Sequence, residues 1–158
     1  QEPLVSTLEA YFQGKKDLFG GLAMERWEKD WESYLVLHID FSLTKYMELT
    51  DLTGQLNLFL HRWEKIYGKD EAEKTASERL QGIILRASEQ IGKQVVVLID
   101  EYDAPLLDSN SDTALQQQLR NEMRKFFSPP QEVGAVSSLS LHHRHQQVQP
   151  TEHLQRTE

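Results

Sequence analysis

The most apolar run in the chain, Val95-Val96-Val97-Leu98-Ile99, leads directly into Asp100-Glu101-Tyr102-Asp103. Large aliphatics without alternation over so short a span predict a strand covered on both faces, as in a parallel sheet. That strand is expected over residues 94–100, and a second mostly apolar run, Tyr34 to Phe41, predicts another over 34–41. Elsewhere the apolar spacing changes to steps of three and four, the period of an amphipathic helix. Leu4, Val5, Leu8, Tyr11 and Phe12 predict one helix, stopped by Gly14. Leu49, Leu52, Leu56, Phe59, Leu60, Trp63 and Ile66 predict a long second one, ended by Gly68. Thr75-Ala76-Ser77-Glu78 has the spacing of a capping box and opens a third, which runs through Leu80, Ile83, Ile84, Ala87 and Ile91 to Gly92. Leu115, Leu119, Met123, Phe126 and Phe127 predict a last helix begun near Ser111 or Asp112. Trp27 and Trp31 lie four apart and are expected to share a helical face, as packing residues.

Two buried strands joined by helices imply an α/β fold with a right-handed parallel crossover and adjacent strands. Lys69 to Lys74 reads as a solvated charged loop, and the stretch after Pro105, with Asp108, Ser109, Asn110 and Ser111, as a polar loop. Beyond Phe127 the periodicity is lost. Pro129-Pro130 and abundant Ser, Gln and His make 128–158 read as a disordered, unrelated tail. Its His142-His143-Arg144-His145 tract would bind metal only adventitiously.

Composition narrows the function. The 158 residues suit one domain, and a net charge of −8 with no basic stripe argues against direct nucleic-acid binding. The chain has no cysteine, so it has no disulfide and no thiolate zinc site; this fits a cytoplasmic protein. No apolar stretch approaches the ~18 residues of a membrane span, and the amino end has no export signal, so no membrane association is expected. The sequence starts at Gln1 rather than Met, which suggests a fragment.

The candidate chemistry lies at the end of the 94–100 strand. Asp100, Glu101 and Asp103 are three carboxylates within four residues, and they repel one another unless a cation or basic groups offset them. Aliphatics followed by Asp-Glu form the pattern of a Walker-B strand, in which the Asp holds Mg²⁺ and the Glu polarises the attacking water. The plainer alternative is a core strand ending in a solvated acidic turn. A nuclease-type metal site on the same three carboxylates is a further alternative, although the Lys expected two residues beyond an acidic residue is missing. His38 and Asp40 point to one side of the other strand. They form either a polar pair near the site or a core histidine satisfied by hydrogen bonding.

Ser6-Thr7-Leu8-Glu9-Ala10-Tyr11-Phe12, Gly14-Lys15-Lys16, Val36-Leu37-His38-Ile39-Asp40, Arg62-Trp63-Glu64-Lys65-Ile66-Tyr67-Gly68 and Val95 through Leu107 together resemble the AAA-ATPase-like family of bacterial P-loop proteins. The resemblance spans residues 4 to 127, and Ile-Asp-Glu-Tyr-Asp-x-Pro-Leu is its most specific part. It implies a partial P-loop NTPase three-layer sandwich that uses ATP and Mg²⁺. Asp100 would help hold the metal through water, Glu101 would orient or activate the hydrolytic water, and Asp103 would support either. In that family a nuclease-like domain often follows.

The family's phosphate-binding loop precedes the first helix, and continuing the register backwards places Gln1 and Glu2 where its Lys and Ser would stand. Residues 1–127 are therefore expected to be a partial domain without that loop and without the later strands. Such a piece would not turn over ATP by itself. Its two strands would have open edges, to be completed by a protein partner or by self-association. The alternative is a degenerate ATPase-like fold that acts as a non-enzymatic interaction module, through surfaces around Trp27, Trp31 and Trp63.

Overall fold

A computed structural model describes residues 3–22, 31–128 and 137–140. In chain order the elements are α1 (Pro3–Phe12), β1 (Leu35–Asp40), α2 (Leu49–Tyr67), α3 (Ala76–Ile91), β2 (Val95–Asp100), α4 (Ala104–Asp108), α5 (Thr113–Phe126) and β3 (Ser137–Ser140). Both apolar runs form strands. They pair in parallel as neighbours, Leu35 opposite Val95 through Asp40 opposite Asp100.

The sheet corrects one expectation. β2 is not left with open edges, because β3 pairs with it in parallel on the other side, giving the order β1-β2-β3. A strand therefore follows residue 127 after all. The reading of 128–158 as a tail otherwise lies outside the described residues, apart from Ser128 and this strand.

All six residues of β2 are buried, and its two faces meet different layers. Val95, Val97 and Ile99 join Leu37 and Ile39 of β1 in one large cluster with Leu52, Leu56, Phe59 and Leu60 of α2, Ile83 and Ala87 of α3, and Leu119 and Met123 of α5. The alternate positions, Val96 and Leu98, are buried outside that cluster. α1 contacts both strands. Burying both faces is why β2 is apolar at every position from Val95 to Ile99, whereas β1 alternates more.

The helix ends follow their local chemistry. Thr75 accepts from the Glu78 amide while the Glu78 carboxylate accepts from the amides of Thr75 and Lys74, which holds its pKa below the usual carboxylate range. Gly92 closes α3 in the left-handed conformation, φ 69°. Asp112 caps α5 by accepting from the Leu115 amide.

Between α2 and α3 the Arg79 guanidinium grips the Glu64 carboxylate twice, Nε to Oε1 at 2.6 Å and Nη2 to Oε2 at 2.9 Å. Glu73 departs from the solvated loop expected of Lys69 to Lys74. Its carboxylate folds back onto Arg86, Nη2 to Oε2 at 3.1 Å, while the same nitrogen donates to the Gly68 carbonyl. Gly82 makes the approach feasible, since a Cβ there would sit 1.6 Å from Glu73 Oε1.

The stretch after Pro105 is helical as far as Asp108, where a polar loop was expected, while Ser109, Asn110 and Ser111 lie outside any helix. Pro105 occupies the first turn of α4, where its missing amide costs nothing, so it starts a short helix instead of breaking one. Trp31 lies outside any helix, and its ring meets Tyr11 edge-on at 5.7 Å and Phe19 at 5.2 Å. Trp27, expected to share its face, falls outside the described residues. Trp63 stacks on Phe59 at 6.0 Å, a packing role.

Candidate functional site at the carboxyl ends of β1 and β2

In a parallel sheet the crevice beyond the carboxyl ends of the strands is the usual place for ligands. Here the in-register pairing sets Asp40 beside Asp100, each the last residue of its strand. Residues alternate across a sheet, so His38, Asp40, Leu98 and Asp100 share the face opposite the large cluster. Asp40 turns its Oδ1 to the Ser42 amide at 2.8 Å, closing the turn after β1. Asp100 is largely buried, with its side chain 10% exposed. His38 Nε2 stands 4.0 Å from Asp100 Oδ2. That nitrogen is itself buried without a hydrogen-bond partner.

Glu101 takes a positive φ of 52°, and it is the one non-glycine residue described in that region. A branched-backbone penalty of about 1–2 kcal/mol accompanies this conformation, and such residues cluster at functional sites. The bend lets the Glu101 carbonyl accept from the Ala104 amide at 2.9 Å, while the carbonyl of Asp103 accepts from the Leu106 and Leu107 amides. Asp103 thus begins α4, and its Oδ1 is buried without a hydrogen-bond partner.

The sequence places Asp100, Glu101 and Asp103 together, but the fold separates their roles. No group of three or more His, Cys, Asp or Glu residues able to hold a metal ion occurs among the described residues. The absence lends no support to the nuclease-type site, which needs the carboxylates to converge. It does not conflict with Mg²⁺, which keeps several waters and commonly takes one or two carboxylates with phosphates supplying the rest. Asp100, a hard oxygen donor at the strand end, fits such an outer-shell role.

Sequence reasoning missed Asp108. Its carboxylate accepts from the Tyr46 amide at 3.2 Å and from Lys45 Nζ at 3.1 Å, tying α4 to the segment after β1. Tyr46 in turn donates its buried hydroxyl to the Phe41 carbonyl at 2.9 Å. Burial, with Asp40, Asp108 and Asp51 nearby, pushes the Tyr46 phenol well above its ordinary acidity range. Only the sequence distance between Asp108 and Tyr46 hid this clamp.

α1 packs against the sheet. Its C-terminal end is pinned at the start of β1, where the Tyr34 amide donates to the Phe12 carbonyl at 2.7 Å and Ser33 Oγ donates to the Gln13 carbonyl. Its body contacts β1 and β2.

A family model described as a predicted AAA-ATPase, AAA-ATPase_like, matches residues 3–139. The chain belongs to the AAA-ATPase-like family. The match runs past the expected limit at residue 127 and takes in most of β3. Among curated proteins the chain is similar to an uncharacterized protein in the vnfD 5′ region of Azotobacter chroococcum mcd 1, 32% identical over 126 residues. The alignment covers 78% of this chain and 24% of that relative, so the chain corresponds to about a quarter of its length. No solved structure matches. Among the described residues no helix is long and apolar enough to cross a membrane.

Proposed function

We propose that this chain is the part of a P-loop ATPase domain that carries the acidic strand end, acting on Mg²⁺-ATP within the whole protein. The observation that carries the reading is the end of β2. A nearly buried Asp100 closes the central strand, and Glu101 follows it in a left-handed bend. Membership of the AAA-ATPase-like family supports it.

In this mechanism Asp100 would hold the cation through water. The cation supplies charge neutralisation of the phosphates. Glu101 orients the water that attacks the terminal phosphoryl group, and its carboxylate accepts that water's proton. Asp103 keeps the bend in place by starting α4. Positioning and electrostatics carry most phosphoryl-transfer catalysis, so a phosphate cradle is needed beside these carboxylates for turnover.

Titrating the chain with a fluorescent ATP analogue tests the reading. Binding should require Mg²⁺ and weaken about tenfold in Asp100→Asn, as loss of a metal-shell contact does. Glu101→Gln should bind like the parent and abolish hydrolysis in the whole protein. A folded chain that shows no Mg²⁺-dependent nucleotide binding would remove the ATPase reading and favour an interaction module.

A further inference from the structure

The fold brings His38 to Asp100, and nothing in an acidic strand end by itself calls for a histidine there. Its Nε2 is buried and lacks a hydrogen-bond partner, although buried polar nitrogens are nearly always paired. The 4.0 Å to Asp100 Oδ2 is too long for a direct hydrogen bond, and it is the kind of separation that one intervening oxygen spans. His38 and Asp100 come from adjacent strands whose register is fixed by the Asp40–Asp100 pairing. Their relative position is therefore set by the sheet and not by a loop.

We propose that His38 is a second protein contact of the hydrated divalent cation at Asp100, with its Nε2 accepting a hydrogen bond from a water of the metal's shell. This rests on the assignment of Asp100 as the carboxylate that holds the cation. A hydrated Mg²⁺ offers water protons strongly polarised by the metal, for which a neutral imidazole nitrogen and a carboxylate are natural acceptors. His38 is thus a positioning residue: it fixes the shell on the side of β1 while Asp100 fixes it on the side of β2.

Mn²⁺, which accepts the same oxygen donors as Mg²⁺, is the probe. In the uniformly ¹⁵N-labelled full chain, at constant pH, Mn²⁺ should broaden the His38 ring signals together with the Asp100 and Glu101 amides. Free Mn²⁺ measured by electron paramagnetic resonance should give an affinity about tenfold lower in His38→Leu, the usual loss for an outer-shell partner. His38→Gln, which keeps an acceptor near the same place, should restore most of that affinity. Broadening at the Asp100 and Glu101 amides without the His38 ring overturns the His38 contact and leaves the assignment of Asp100 standing. Broadening at neither, or only at the His142, His143 and His145 signals, overturns both. The labelled parent chain gives this answer even if a variant fails to fold.

Discussion

Arg79 Nε lies 2.6 Å from Glu64 Oε1 across the α2–α3 interface, and a second bond makes the pair bidentate, with only 6% of the Glu64 side chain exposed. The hydrogen bonds from Arg79 hold the Glu64 carboxyl below the usual carboxylate range. Because the folded-state value is depressed, the stability it contributes is fully present above the unfolded-state pKa and is lost as pH falls through the folded one. Arg79→Met should cost about 2–3 kcal/mol at pH 7, since it strands a buried carboxylate. Urea unfolding at pH 7 and pH 4 should show the difference shrinking toward acid. Adding Glu64→Leu should recover most of the loss.

Tyr46 should behave in the opposite sense with pH. Its folded-state pKa is raised, so its contribution is intact below the unfolded value of about 10 and declines as pH rises beyond it. Tyr46→Phe leaves the Phe41 carbonyl without its donor. It should cost about 1–2 kcal/mol at pH 7 and flatten the alkaline slope in thermal unfolding between pH 9 and pH 11.

Asp108 offers two acceptor contacts of unequal worth. Lys45 is 81% exposed along its side chain, so Lys45→Ala should change stability by less than about 0.5 kcal/mol. Asp108→Ala also releases the Tyr46 amide, and it should cost about 1–2 kcal/mol. Hydrogen exchange should show that amide deprotected in Asp108→Ala and unchanged in Lys45→Ala.

Glu101 should be replaceable to the benefit of stability. Glycine adopts φ 52° without the side-chain penalty, so Glu101→Gly should raise stability by about 0.5–1 kcal/mol, and Glu101→Val should lower it by about 1–2 kcal/mol. Chemical denaturation decides between this and an unstrained bend, in which both variants would be destabilising.

What could be read from the residues was local. The starts of α3 and α5 are written in Thr75, Glu78 and Asp112, and the α3 stop in Gly92, because caps are satisfied within one turn. The uniform burial of β2 follows from five adjacent aliphatics. What could not be read came from partners distant in sequence. Ser137–Ser140 has no apolar run of its own and forms a strand through pairing with β2. The stretch after Pro105 reads as a polar loop, yet α4 runs on to Asp108. The approach of His38 to Asp100 depends on the register between strands 60 residues apart, Asp40 to Asp100, which no local pattern encodes.

The two-sided burial of β2 also makes the strand a ruler. Its odd-numbered residues are committed to the cluster under α2, α3 and α5, and its even-numbered ones to the opposite face. One residue inserted or deleted between Val95 and Ile99 would exchange the two sets and turn Asp100 into the apolar layer. The side on which the carboxylate emerges is thus counted out by the length of the aliphatic run, and drift in that length is tolerated only in steps of two.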